Sequence, residues 1–275
     1  MSNKILVLGS TGKTGKRVYK RLQQLNEEVI PASRNSDIPF DWYDQSTWAK
    51  ALSGINKVYI TFQPDLAIPQ SLDIITAFVA ATKNAGVKKS VLLSGRGELE
   101  AKACEDVIIA SGLDYTIIRA AFFMQNYSEG YWLDGILSGE LIVPKVNAKE
   151  PFVDADDIAE MVVKSLLEDE HNGKIYELTG PELLSFTDTA AKISEGIGKP
   201  VNVIEVELDE YATMLRSYNV TEDYIWLITY LFGQLLDGRN ESVHGSIPMV
   251  LGRNATSFDE YVSKTNLTGI WSNNT

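Results

Sequence analysis

The chain has 275 residues and 44% apolar content, enough for one large or two small domains with a substantial core. Its net charge of −12 argues against nucleic-acid and anionic-membrane partners. The single cysteine, Cys104, excludes an internal disulfide and fits a reducing, cytoplasmic setting. Residues 1–4 run straight into a strand without a secretory pattern, and the apolar stretch 225–232 is far too short to span a bilayer. His171 and His244, without a cysteine cluster, leave no zinc pattern, so no metal is expected.

In chain order, Ile5-Leu6-Val7-Leu8 predicts a buried strand. The turn Gly9-Ser10-Thr11-Gly12-Lys13-Thr14-Gly15 follows, and then Val18, Leu22 and Leu25 recur at helical spacing. Glycines in a strand-to-helix turn suit a dinucleotide pyrophosphate: Gly9 for the tight turn, Gly12 for close backbone approach, Gly15 for helix–strand packing. The helix N-terminus offers N–H groups and a positive dipole end to the anion. Thr11, Lys13 and Thr14 complete this candidate cofactor cradle.

Residues 28–33 predict the second strand, with Val29 and Ile30 inward. NAD-selective sites place Asp or Glu at its end to bind the ribose 2′-hydroxyl; here Ser33 is followed by Arg34, which suits a 2′-phosphate. Lys13 could add a second positive charge. The bland reading of both is solvated surface cations. The expected cofactor is therefore NADP(H), with NAD(H) the lesser alternative.

Further along, the pattern predicts an extended piece at 38–42 and a helix at 46–52. It continues with a strand at 57–61 ending in Thr61, then a helix at 71–84 with Ile74, Ile75, Phe78 and Val79 inward. A strand at 89–94 ends in Ser94 and is followed by a helix at 99–110 and a strand at 115–119. A helix at 156–167 and a strand at 174–178 close this series. Thr61 and Ser94, at strand ends, are candidate cofactor contacts; Ser94 reads equally as a strand-end hydrogen bonder. The alternation predicts an α/β fold, a Rossmann-type doubly wound parallel sheet with helices on both faces. Beyond Gly180-Pro181 come helices at 187–197, 209–217, 222–236 and 257–263, with one strand at 201–206. The expected division is a nucleotide-binding domain over 1–180 and a smaller, mostly helical substrate lobe over 181–275. Residues about 124–150 are candidates to join the lobe.

The arrangement resembles the NmrA-like group of atypical short-chain dehydrogenase/reductases. The loop G-S-T-G-K-T-G is similar to that group's G-x-T-G-x-x-G. The run Phe122-Phe123-Met124-Gln125-Asn126 is similar to its W/F-F-x-x-N segment, and Pro151 to Ala159 to its V-x-x-x-D-I-A stretch. Residues 40–44 (FDWYD), 91–94 (VLLS) and 180–184 (GPELL) further resemble the ergot-alkaloid-type, festuclavine-synthase-like reductases and their bacterial relatives. The resemblance implies a substrate site beside the nicotinamide built from Phe122, Phe123, Met124 and Asn126. The aromatics there, with Tyr127, read either as pocket or as core. The same choice applies to Tyr224, Trp226, Leu227, Tyr230, Leu231 and Phe232 on the 222–236 helix.

Ordinary short-chain dehydrogenases use Tyr-x-x-x-Lys to protonate the oxygen that follows hydride addition. None of the twelve tyrosines here has Lys four residues later; the nearest spacing match is Glu98-x-x-x-Lys102. That pair reads either as a solvated i,i+4 salt bridge or as a carboxylate favouring a cationic acceptor such as an iminium. A quinone or enone acceptor would draw its proton from water or Tyr127. The function expected is an NADPH-dependent reductase acting on a planar, apolar small molecule. The alternative is a non-catalytic NAD(P)-binding redox sensor with a protein partner.

Overall fold

The computed structural model describes residues 3–272. In chain order the chain forms β1 (Ile5–Leu8), α1 (Lys13–Gln24), β2 (Val29–Ala32), α2 (Trp48–Leu52), β3 (Lys57–Ile60), α3 (Ser71–Ala85), β4 (Lys89–Gly95), α4 (Leu99–Ala110) and β5 (Asp114–Ala120). There follow a 3₁₀ turn (Met124–Tyr127), α5 (Leu133–Ser138), β6 (Glu140–Pro144), α6 (Ala155–Leu167) and β7 (Lys174–Leu178). The remainder is α7 (Phe186–Ile197), β8 (Asn202–Val206), α8 (Leu208–Ser217), α9 (Glu222–Tyr230), α10 (Ser246–Leu251) and α11 (Phe258–Asn266). Two compact units result. One is the chain up to Ala120 together with Ala155–Leu178; the other is Ala121–Asp154 with the chain from Thr179.

The first unit is a six-stranded, all-parallel sheet in the order β2-β1-β3-β4-β5-β7. A single parallel bridge, Ser33 to Pro39, marks a vestigial strand beyond β2. The order reverses between β1 and β3, so the fold is a Rossmann-type doubly wound sheet. The central strands read as continuous apolar runs because helices cover both faces: Ile5, Leu6, Val7 and Leu8 are all fully buried. β2 differs from expectation. Val29 and Ile30 are only partly buried, since the strand sits near the sheet edge with little cover. The extended piece after it buries Phe40 and Trp42 instead, which meet Phe78 of α3 edge-to-face at 5.6 and 4.9 Å and Trp48 of α2 at 6.3 Å. At the opposite edge of the strands from the glycine turn, Lys57 and Lys89 donate to the carbonyls of Leu166 (2.7 Å) and Glu168 (2.8 Å), closing the C-terminus of α6. Burial holds the Lys89 ammonium below the ordinary lysine range.

The second unit has its own aromatic core around Trp132, Tyr127, Phe152, Phe186 and Phe258. The 201–206 strand pairs in parallel with β6, which the sequence pattern does not reveal. The expected helix over 222–236 becomes α9 followed by one π turn, Leu231–Leu235. Both α7 and α11 open with a capping box, Ser185 with Asp188 and Ser257 with Glu260. Backbone hydrogen bonds lead the causes that hold both carboxyls below their ordinary ranges. A depressed carboxyl adds stability above its unfolded value, near pH 4, and loses it as pH falls through the folded value. Melting temperature is therefore expected to drop between pH 5 and pH 3, less steeply in Ser185→Ala, which itself costs about 1 kcal/mol at pH 7.

Candidate functional site

Gly9 ends β1 with φ of +60°, a left-handed conformation that an L side chain adopts only with strain. A Cβ there would also stand 2.7 Å from Thr61 Cγ2 at the end of β3. The Gly12 N–H closes the turn onto the Gly9 carbonyl at 2.8 Å. α1 then begins with Gly12 as its N-cap and no side-chain cap. The fit of Gly15 is tighter still: a Cβ would lie 2.1 Å from the Gly9 oxygen. At Gly12 a Cβ would meet only the Gly9 oxygen, at 3.2 Å. Gly9 and Gly15 therefore shape the turn, while Gly12 leaves open the space above the helix start where a pyrophosphate fits.

The other cofactor candidates fall into place around this turn. Thr11 is exposed on it, and Lys13 is half-buried at the first helical position. Thr14 is buried, and its hydroxyl meets the Tyr59 hydroxyl of β3 at 2.9 Å, so the side chain anchors the helix to the sheet. Only its backbone is left to serve an anion. Arg34 is exposed just past β2, in a turn that Ser36 organises by bonding the Ser33 N–H at 2.8 Å and the Ile38 carbonyl at 2.6 Å. No carboxylate replaces Arg34 in the Ser33-Arg34-Asn35 run, so the residues present fit a 2′-phosphorylated dinucleotide.

Ser94 is turned inward. Its hydroxyl donates to Glu105 of α4 at 2.7 Å, and Glu105 is fully buried. Arg119 of β5 binds the same carboxylate through two nitrogens, at 2.9 and 2.6 Å. Glu177 of β7 links Arg119 (3.6 Å) to Arg96 (3.2 Å). Of the two readings of Ser94, the strand-end hydrogen bonder describes its hydroxyl, because the buried Glu105 carboxylate needs donors. The network escaped the sequence reading. Its one signal was Arg119, a charge between Ile118 and Ala120 in an apolar strand.

The Glu98–Lys102 pair does not form. Glu98 is the N-cap of α4 with extended backbone, so its side chain leaves the helical face that Lys102 shares. Lys102 is exposed and pairs with Asp106 one turn on, so it stands apart from the role assigned to it. Glu98 is 7% exposed and lies over Gly95, where a Cβ would come within 2.1 Å of its Oε1. Burial first, then the charge of Asp65 and a hydrogen bond with it, push the Glu98 carboxyl well above the ordinary range. Both causes favour the protonated form of Glu98 over the carboxylate. Asp65, in the loop after β3, had no signal in the sequence.

In the second unit, Tyr127 is fully buried, with its hydroxyl 2.8 Å from that of Thr189 and its ring 4.7 Å from Trp132. Burial raises its phenol well above the ordinary range. A phenol so enclosed faces Thr189 and the aromatic core rather than solvent, which does not support the proton-source reading. Phe122 is half-buried, with its ring 6.4 Å from Phe152 and 6.3 Å from Phe232. Phe123 and Asn126 are half-buried and Met124 is buried. On the 222–236 segment, Leu227, Leu231 and Phe232 pack into the core, whereas Trp226 and Tyr230 stack at 5.4 Å with Trp226 39% exposed. Of the four aromatics there, only Phe232 is core; Tyr224 and Trp226 are exposed and Tyr230 is half-buried.

The parallel sheet, its reversal between β1 and β3 and the glycine turn at that point define a dinucleotide-binding protein of the Rossmann type. The chain belongs to the NmrA-like family, whose model matches residues 1–262. An NAD(P)H azoreductase of Xenophilus azovorans is 26% identical, covering 94% of this chain and 96% of its own. An agroclavine dehydrogenase of Claviceps fusiformis is also 26% identical, over the same shares of the two chains. The NADP(H)-complexed triphenylmethane reductase of Citrobacter sp. superposes with a TM-score of 0.80 at 20% identity, covering 95% of this chain and 99% of that one.

Proposed function

We propose that this protein transfers hydride from NADPH to a planar, apolar acceptor without a tyrosine–lysine acid. It is an NAD(P)H-dependent oxidoreductase with NADP(H) as its cofactor and a small molecule as its substrate. Arg34 carries the NADPH reading: it stands exposed at the end of β2, where an NAD site would hold a carboxylate. When bound, the cofactor supplies the hydride. Gly12 and the start of α1 hold the pyrophosphate; Arg34, with Lys13, neutralises the 2′-phosphate.

Glu98 bears on the acceptor. A carboxylate there would favour a cationic iminium, but burial and Asp65 raise the Glu98 carboxyl well above its ordinary range, which weakens that preference. Neutral acceptors, a quinone, an enone or an azo compound, therefore stand beside the iminium as candidates. Anaerobic NADPH consumption against iminium, quinone, enone and azo acceptors tests this reading. Turnover of none of them would refute it and favour a redox sensor. Calorimetry is expected to show NADPH binding tighter than NADH, and Arg34→Ala is expected to narrow the gap about tenfold, the loss of one charge-assisted hydrogen bond. Equal affinities in the wild-type protein would refute the cofactor assignment.

A further inference from the structure

The turn from α6 into β7 gathers three metal-ligating side chains at the end of the sheet away from the glycine turn. His171 closes the 3₁₀ turn Asp169–His171, Glu170 precedes it, and Glu168 is the N-cap of the turn. Their ligand atoms all lie within 4.8 Å of one another. We propose that Glu168, Glu170 and His171 bind a divalent transition ion of the zinc class, with water completing its shell.

The distances suit an ion between the side chains. Zinc holds imidazole nitrogen and carboxylate oxygen at about 2.0–2.2 Å in a tetrahedron, which sets its ligand atoms about 3.3–3.6 Å apart. His171 Nε2 is 3.3 Å from Glu168 Oε2 and 3.8 Å from Glu170 Oε1. A direct charge-assisted hydrogen bond would close to about 2.7–2.9 Å. The nitrogen also carries at most one hydrogen, yet two carboxylates converge on it.

The imidazole is held in place from behind. His171 is 4% exposed, and its Nδ1 lies 2.9 Å from the Tyr176 hydroxyl of β7. Thr116 of β5 donates to the His171 carbonyl at 2.8 Å and fixes the backbone. With Nδ1–H donating to Tyr176, the Nε2 lone pair faces the two carboxylates. An imidazole anchored through its far nitrogen is the usual arrangement around a bound metal.

Neighbouring cations narrow the choice of ion. Lys164 of α6 stands 3.4 Å from Glu168, and Lys89 stands 3.5 Å from Asp169. They disfavour an ion held by charge alone, such as calcium, which takes about six to eight oxygens. An ion that prefers imidazole nitrogen, such as zinc, is affected less. The expectation of no metal rested on cysteine and histidine spacing; two carboxylates and one imidazole fall outside that pattern. Placed where α6 meets the edge strand β7, the ion would brace the sheet edge and take no part in hydride transfer. The site therefore stands independently of the reductase reading.

Calorimetry with zinc chloride on tag-free protein tests it. One Zn²⁺ per chain is expected to bind, and about a hundredfold excess over Kd is expected to raise the melting temperature by about 5 °C. The Glu170 side chain is 75% exposed, so Glu170→Gln is expected to fold as the wild-type protein does. It removes a ligand and is expected to weaken zinc by more than about 100-fold. Tyr176→Phe keeps the ring, removes only the hydroxyl behind His171, and is expected to weaken zinc by about 10–100-fold. His244→Asn, which removes the other histidine of the chain, is expected to leave zinc affinity unchanged. No binding to the wild-type protein, unchanged binding in either Glu170→Gln or Tyr176→Phe, or binding lost in His244→Asn would overturn the site.

Discussion

Gly12→Val is expected to fold normally and to bind NADPH at least about 100-fold more weakly, a loss of about 2.7 kcal/mol. The protein tolerates the new side chain, because a Cβ at Gly12 meets a single backbone oxygen at 3.2 Å and otherwise points into the open. In the proposed binding mode the cofactor does not tolerate it, because the pyrophosphate would approach the helix start through that open space. Gly15→Ala provides the contrast. Its Cβ would collide with the Gly9 oxygen at 2.1 Å, the Gly9 carbonyl carbon at 2.7 Å and the Leu8 oxygen at 3.1 Å. These are backbone atoms that cannot swing aside, so this variant is expected to lose both stability and binding. Circular dichroism melts with calorimetry on each protein separate the two cases. NADPH affinity retained in a folded Gly12→Val protein would show that the glycine serves the turn alone.

Glu105→Leu is expected to lower unfolding free energy by about 3 kcal/mol, at the lower end of the cost of removing one partner of a buried ion pair. Glu105 is fully buried and accepts from both Ser94 and Arg119, so its removal strands a guanidinium and a hydroxyl together. Glu177, 3.6 Å from Arg119, softens the loss only in part. Removing both charges in Glu105→Leu/Arg119→Leu is expected to recover some of the stability, since no buried charge then lacks its partner. Urea unfolding of the two variants measures this. If the single variant matches the wild-type protein, the network is ornamental.

The elements of the first unit were legible because its strands are local apolar runs and its helices carry period-3.6 faces. The helices at 99–110 and the strand at 174–178 agree with observed bounds residue for residue. β6 was not legible. It has five residues, and its partner, β8, lies about 60 residues later in the chain, so no local pattern announces it. The single helix expected over 222–236 failed differently: its apolar spacing holds across the junction, but the backbone hydrogen bonds widen to a π turn at Leu231.

The glycine turn and the end of β2 were written in short-range order. Gly9, Gly12, Gly15 and Arg34 are positioned by adjacent strands and turns, so spacing alone placed them in the fold. Side-chain direction around Glu98 was not. Glu98 and Lys102 are four residues apart, and on a helix that spacing would pair them. Glu98 sits one residue before the helix, however, and there the extended backbone sends it toward Asp65, 33 residues earlier in the chain. Tyr127 and Ser94 likewise had the right chemistry and the right strand ends, and packing turned both inward. By itself the amino-acid order determined the strands, the glycine turn and the placing of Arg34 just past β2, because each depends on neighbours in sequence. That the Glu98 carboxyl is raised above its ordinary range was decided only by the tertiary structure, because the shift depends on burial and on charges that the chain brings together from distant loops.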